Sequence, residues 1–274
     1  MKKEGIQGIS SVELFSLNIA LTTDLHMWPQ RWLGELYSKL FIRFGEDLAT
    51  HADIVNLLGS EGKARVAASR LRRMGLLYMF SRAERKRLYS IANPSILPYL
   101  STGKVSNLDK IAQGRYAGLI GLFSVEVLEA FPETKSIVVY GSVSRGVAEA
   151  DSDVDIMILL PDSDESVGER IRKFSWLEDS GKTGRELDRL DNRGTYTHIS
   201  ILPLSISEAE QMPPILLDIV EDGIPIVDDD AFLKLRDKLR SRFLTQGIRR
   251  EYLSPNEWYW VLSPELTAQD VSTA

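Results

Sequence analysis

The chain contains no cysteine, so neither disulfide bridges nor thiolate metal ligands contribute to it. It also lacks any apolar run near the ~20 residues that a membrane helix needs. No continuous apolar segment follows the charged start Met1-Lys2-Lys3-Glu4, which argues against a secretory leader and favours a cytoplasmic protein. Repeats and low-complexity tracts are absent. What remains is a globular composition: 274 residues, 43% hydrophobic and 26% charged, enough for two modest cores. The proline, serine and glycine of Asn93-Pro94-Ser95-Ile96-Leu97-Pro98-Tyr99-Leu100-Ser101-Thr102-Gly103 interrupt the periodicity on either side. This predicts one domain over residues 1–98 and a second over 99–274.

The most informative stretch begins in the second domain. Two β-branched runs, Ser136–Tyr140 and Val154–Leu160, read as buried strands, and Gly141, Ser142 and Gly146 punctuate the turn after the first. An unhindered Gly-Ser backbone offers N–H donors and a hydroxyl to phosphate oxygens, and Arg145 adds a positive fork. Asp153 and Asp155 stand two residues apart on an extended segment, so both carboxylates leave the same face. Such a pair repels itself and is costly to desolvate unless a cation lies between, and Mg²⁺ is commonly held by one or two carboxylates plus substrate phosphates.

Gly141-Ser142 with Gly146, followed by Ser152-Asp153-Val154-Asp155, resembles the signature of the DNA polymerase beta-type nucleotidyltransferase superfamily, above all its minimal, archaeal-like stand-alone members. The helix expected over Leu108–Phe131, ahead of the first strand, suits that family's order. The resemblance implies a mixed β-sheet with helices. It implies that Gly141, Ser142, Arg145 and Gly146 bind a nucleoside triphosphate, ATP foremost, and that Asp153 and Asp155 hold Mg²⁺. A nucleotidyl group would then pass to an acceptor hydroxyl as pyrophosphate leaves.

Active members use a further acid on the next strand. The strand expected within Gly194–Leu202 carries His198 and Ser200 instead, alternating with Ile199 and Ile201. A neutral imidazole at His198 can serve as base or ligand but lends no negative charge. Asp188 and Asp191 precede this strand in a mixed-charge segment that reads as solvated surface, and Asp218 follows it in a helical run.

The chain is acidic overall, with formal charge −6, but Glu61–Ser90 inverts that balance. It sets nine cations, Lys63, Arg65, Arg70, Arg72, Arg73, Arg82, Arg85, Lys86 and Arg87, against Glu61 and Glu84, which suggests a polyanionic partner. Helices are expected over Asp47–Leu58 and Lys63–Met74, and strands over Leu76–Phe80 and Leu88–Ile91, after an amphipathic helix running from Pro29 to its cap at Gly45. This order resembles a winged helix-turn-helix domain. The resemblance implies that Lys63, Arg65, Ser69, Arg70, Arg72 and Arg73 face DNA or RNA while Arg82, Arg85, Lys86 and Arg87 grip the phosphates, and it suggests a homodimer. Near the end, a helix over Asp230–Thr245 precedes an aromatic strand, Trp258-Tyr259-Trp260, which either stacks a base or locks the terminus to the core.

The sequence therefore predicts an α+β protein in which a winged helix directs a Mg²⁺-dependent nucleotidyltransferase to nucleic acid. Two alternatives stand beside it: a DNA-binding transcriptional regulator with a degenerate, nucleotide-binding domain of the same fold, and an antitoxin-like interaction module that modifies or masks a protein partner.

Overall fold

The computed structural model describes residues 28–83, 86–179, 181–255 and 257–262. Helix α1 (Arg31–Phe44) follows from the spacing of Leu33, Leu36, Tyr37 and Leu40, which form one buried stripe, and Gly45 ends it. Thr50 closes the two-residue strand β1 (Ala49–Thr50) in an extended conformation, held by a reciprocal capping box with Asp53. That cap splits the helix expected over 47–58, so α2 spans His51–Leu58. Gly59 stops α2, and Ser60 caps α3 (Glu61–Arg73), which starts two residues earlier than expected and buries Ala64, Ala67, Ala68 and Leu71. Strands β2 (Leu77–Ala83) and β3 (Lys86–Ile91) pair antiparallel, and β1 joins the far side of β3 in the order β1-β3-β2. A bulge between Met79 and Ser81 lets β2 run past the expected end at Phe80.

The stretch 93–103 folds into a 3₁₀ turn (Pro94–Ile96) and helix α4 (Leu97–Ser101), with Ile96 and Leu100 buried. The long helix expected over 108–131 is shorter. A 3₁₀ turn occupies Leu108–Lys110, and α5 begins only at Ala117 and runs to Ala130. The intervening residues are taken by tertiary contacts. Gly114 packs so closely on the Met79 backbone that a β-carbon would lie 2.7 Å from Met79 O, and the Gln113 amide bonds Ala148 at both its N–H and its carbonyl. Helix α5 is apolar on nearly every side and buries Leu119, Ile120, Leu122, Phe123, Val125 and Val127.

The second sheet has the order β6-β5-β4-β7, with β4 Ser136–Tyr140, β5 Val154–Leu160, β6 Ile199–Ser205 and β7 Ile224–Asp228. Strand β4 is antiparallel to both neighbours, whereas β5 and β6 run parallel. Alternation sends Ile137, Val139, Ile156 and Ile158 to one face and Val138, Tyr140, Met157 and Leu159 to the other. The first face packs on α5, α7 (Val167–Asp179) and α8 (Gly181–Asp191) in a core that continues into α1–α3 and the first sheet. The second is covered by α9 (Ile206–Glu210), α10 (Ile215–Asp222) and α11 (Ala231–Gln246).

Two expectations are corrected here. The mixed-charge segment 185–194, expected as solvated surface, is so at the exposed Asp188 and Asp191 but not throughout: it lies largely in α8, which buries Thr183, Glu186 and Leu190, and the Arg189 side chain bonds Glu186 and makes its burial tolerable. The aromatic tail is a hairpin rather than a lone strand, β8 (Arg249–Ser254) with β9 (Glu257–Val261). Among the described residues no helix is long and apolar enough to cross a membrane.

Phe123 is 0% exposed at the middle of α5 and belongs to the core that runs beneath both sheets. Phe123→Ala is expected to cost about 3–5 kcal/mol, read as a lower urea midpoint at unchanged m-value.

Candidate active site

The site forms where β4 turns into the five-residue helix α6 (Gly141–Arg145). Gly141 has φ +71°, and its open side is filled by Asp155, which stands opposite Tyr140 in the β4–β5 ladder. A β-carbon on Gly141 would collide with Asp155 Oδ2. The glycine is therefore required twice, by its backbone conformation and by the carboxylate. Ser144 Oγ donates to Gly141 O at 2.9 Å and tightens the turn. Gly146, at φ +75°, ends α6 against the Ala112 methyl.

The connector from Gly146 to Asp153 is strapped from two sides. Arg115 Nη2 donates to Ala148 O (3.1 Å) and Tyr116 OH to Glu149 O (2.8 Å), beside the paired Gln113 bonds. From the β6 side, Thr197 Oγ1 donates to Ser152 O (2.8 Å), Tyr196 N to Ala150 O (2.7 Å), and Val154 N to His198 O (2.8 Å). This frame fixes the backbone that carries the two aspartates.

Val154 is buried, while Asp153 on one side of it is exposed and Asp155 on the other is half-buried. Burial, with the Asp153 charge adding to it, raises the Asp155 carboxyl above the ordinary carboxylate value, against the lowering influence of the Ser200 side chain and Arg145. An incompletely compensated pair of hard oxygen donors beside an open turn fits Mg²⁺ shared with phosphates. Among the described residues, no group of three or more His, Asp or Glu is placed to hold a metal ion without such help.

The β5–β6 register sets Ser200 opposite Asp155. His198 lies one residue ahead of β6, exposed, and its carbonyl is bound by Val154 N. A carboxylate that sequence reasoning missed stands nearby: Glu178 on α7 accepts from Ile199 N at 3.0 Å. Burial raises its pKa, opposed by that N–H and by His198. Glu178 and His198 share a cavity of about 680 Å³ with Asp179, Arg185, Asp188, Asp191 and Tyr196. Its distance from β6 along the chain left no local signal. Asp218 does not enter the site, because Oδ1 accepts from Arg250, Trp258 and Trp260.

Of the basic residues, Lys63, Arg65, Arg72 and Arg73 on α3 and Lys86 and Arg87 on β3 are exposed, as is Ser69. Arg65 lies 3.5 Å from Glu61. Arg70 is half-buried, donating to Gln30 Oε1 at 3.1 Å and lying over the Trp32 ring. The Arg82 side chain and Arg85 fall outside the described residues.

A family model for the nucleotidyltransferase domain matches residues 123–213, which span α5 to α9 and contain the Gly141 turn, both aspartates and β6. Among solved structures, a toxin–antitoxin crystallised with AMP-PNP is 17% identical, covering 46% of this chain and 90% of that one at a TM-score of 0.29. A mutant of the MntA–HpeT toxin–antitoxin is 15% identical, covering 45% of this chain and 89% of that one at a TM-score of 0.30. No curated protein matches the chain.

Because the folded pKa of Asp155 is raised above its unfolded value, its ionisation opposes folding. That cost is absent below the ordinary aspartate pKa and fully present once pH exceeds the raised one. In magnesium-free buffer, Asp155→Asn is expected to raise Tm at pH 7 and to leave it unchanged near pH 3, as followed by thermal melts across that range.

Proposed function

We propose that the chain is a Mg²⁺-dependent nucleotidyltransferase, with ATP as donor, whose N-terminal residues 1–98 bring it to nucleic acid and whose residues 99–274 carry the transfer. The observation that carries this reading is the seating of the Asp155 carboxylate on the Cα of Gly141: the phosphate turn and the metal-facing acid are built as one unit. The domain match over 123–213 supports it.

In this reading the N–H groups and Ser142 hydroxyl of the turn bind the triphosphate, and Arg145 neutralises it. Mg²⁺ held by Asp153 and Asp155 would offset the charge that develops on the phosphate oxygens during transfer. The acceptor oxygen forms its bond to the α-phosphorus in line with the α–β bridging oxygen, the bond between the α-phosphorus and that bridging oxygen breaks, and pyrophosphate departs with it. His198, exposed beside the strapped connector, takes the acceptor's proton.

The order α1-β1-α2-α3-β2-β3 with its β1-β3-β2 sheet supports reading the N-terminal part as a winged helix-turn-helix. Lys63, Arg65, Ser69, Arg72 and Arg73 would then face a groove, and Lys86 and Arg87 the backbone, all of them exposed.

One observation favours a second reading. Ser200, not an acid, stands opposite Asp155; in this reading the domain is a nucleotide-binding switch of a DNA-binding regulator that turns nothing over.

Asp153→Ala with Asp155→Ala is expected to lower Mg²⁺-dependent incorporation of labelled nucleotide by about a thousandfold, consistent with several kcal/mol of lost stabilisation. Wild-type activity in the double variant refutes the site. Calorimetric Mg²⁺·ATP binding by the wild type, with no product from any acceptor, selects the regulator. For the basic face, Arg72→Ala or Arg73→Ala is expected to reduce the slope of log K against log salt by about 1 in fluorescence titrations with duplex DNA; unchanged slopes exclude phosphate contact.

A further inference from the structure

Arg145 is the only arginine on α6, and its surroundings come from the far end of the chain. Its Cζ lies 4.8 Å from the centroid of the Trp258 ring on β9, and Nη1 is 3.7 Å from Asp222 Oδ2 at the end of α10. Behind that contact is a second arginine. Arg250 on β8 donates from Nη1 to Asp222 Oδ1 (2.8 Å) and from Nη2 to Asp218 Oδ1 (2.9 Å). Its Cζ sits 4.7 Å from the same Trp258 ring and 5.0 Å from that of Trp260. Both indoles are anchored in turn, since Trp258 Nε1 and Trp260 Nε1 donate to Asp218 Oδ1 at 2.9 and 3.1 Å. Trp260 also packs edge-on against Phe243 of α11.

The two arginines and two aspartates balance in charge, which lets a partly buried cluster persist without a leftover ion. Burial works against the charge on Arg250, but its bonds to Asp222 and Tyr252 and the two nearby carboxylates more than offset this, so its pKa lies above the ordinary arginine value. Asp222 Oδ2, the atom facing Arg145, is buried and accepts no hydrogen bond. Arg145 is thus held by an aromatic face and a carboxylate at ionic range, with guanidinium donors left over.

We infer that the C-terminal hairpin is a positioning device for the phosphate-binding arginine, with Trp258 and Asp222 as positioning residues for Arg145. The inference rests on the reading that Arg145 binds the triphosphate. A free arginine on a short helix loses side-chain freedom when it grips a phosphate; one already laid on an indole loses less, and the ligand binds more tightly. With two guanidinium groups within 5 Å of its centroid, the Trp258 ring acts through arginine in this inference and not by stacking on a base.

The test is a double-mutant cycle in the full-length protein, with Mg²⁺·ATP and adenosine affinities measured by calorimetry. Trp258→Ala is expected to weaken Mg²⁺·ATP binding about tenfold and to leave adenosine binding unchanged. In an Arg145→Ala background the same change is expected to do almost nothing further. Trp258→Phe should restore most of the affinity and Trp258→Leu should not. Asp222→Asn should act in the same direction as Trp258→Ala. Tyr259 is exposed on the face of β9 opposite Trp258, so Tyr259→Ala removes a surface bond to Glu251 while leaving Trp258, Asp222 and Arg145 in place, and it is expected to be silent.

Additive losses, rescue by leucine, or an equal loss in Tyr259→Ala overturn the positioning role and leave the proposed function intact. Loss of adenosine binding in Trp258→Ala assigns the ring to the base and also overturns it. If Arg145→Ala itself leaves Mg²⁺·ATP binding unchanged, the phosphate role of Arg145 is wrong and the inference falls with it.

Discussion

The site depends on one steric relation: Asp155 Oδ2 occupies the space that any side chain at position 141 would need. Pairing of Tyr140 with Asp155 in the β4–β5 ladder brings the two together, and the left-handed backbone at Gly141 keeps the turn clear of the carboxylate. Everything around it serves to maintain this closeness. Val139 and Ile156 anchor the ladder in one core and Val138 and Met157 in the other, while the connector is pinned by Gln113, Arg115, Tyr116 and Thr197. The raised pKa of Asp155 is the electrostatic cost of holding an acid there.

How much of this the sequence revealed depends on how far each residue's partners lie along the chain. Glycine spacing, β-branched runs and the Asp-x-Asp pair sit within about one strand-turn-strand unit, so Ser136–Tyr140, the turn and Val154–Leu160 were legible. Helices α1 and α11 were legible for the same reason, since their apolar stripes are internal to each. The start of α5 was not, because Gln113 and Gly114 bond to Ala148 and pack on Met79, partners that periodicity cannot register. Helix α8 was masked by its charges: Glu186 looks like surface until Arg189 is seen beside it.

The candidate site divides along the same line. Gly141, Ser142, Arg145, Asp153 and Asp155 carry their chemistry in local spacing. Glu178 reaches β6 from another helix, and Trp258 and Asp222 reach Arg145 from the end of the chain. Long-range contacts of this kind leave no pattern in a single sequence. The aromatic tail was recognisable as a cluster, but its partners, Arg250 and Asp218, became apparent only with the hairpin formed.

The continuous core under both sheets has a consequence for how the chain can be taken apart. Ile96 and Leu100 bury in it with α5, and Arg189 and Arg193 of the later half both bond the Glu46 carbonyl of the earlier one. A fragment severed near residue 98 would leave apolar side chains uncovered on each new surface. The front half is therefore no interchangeable cassette: grafting it onto another protein would require that recipient to supply the missing wall.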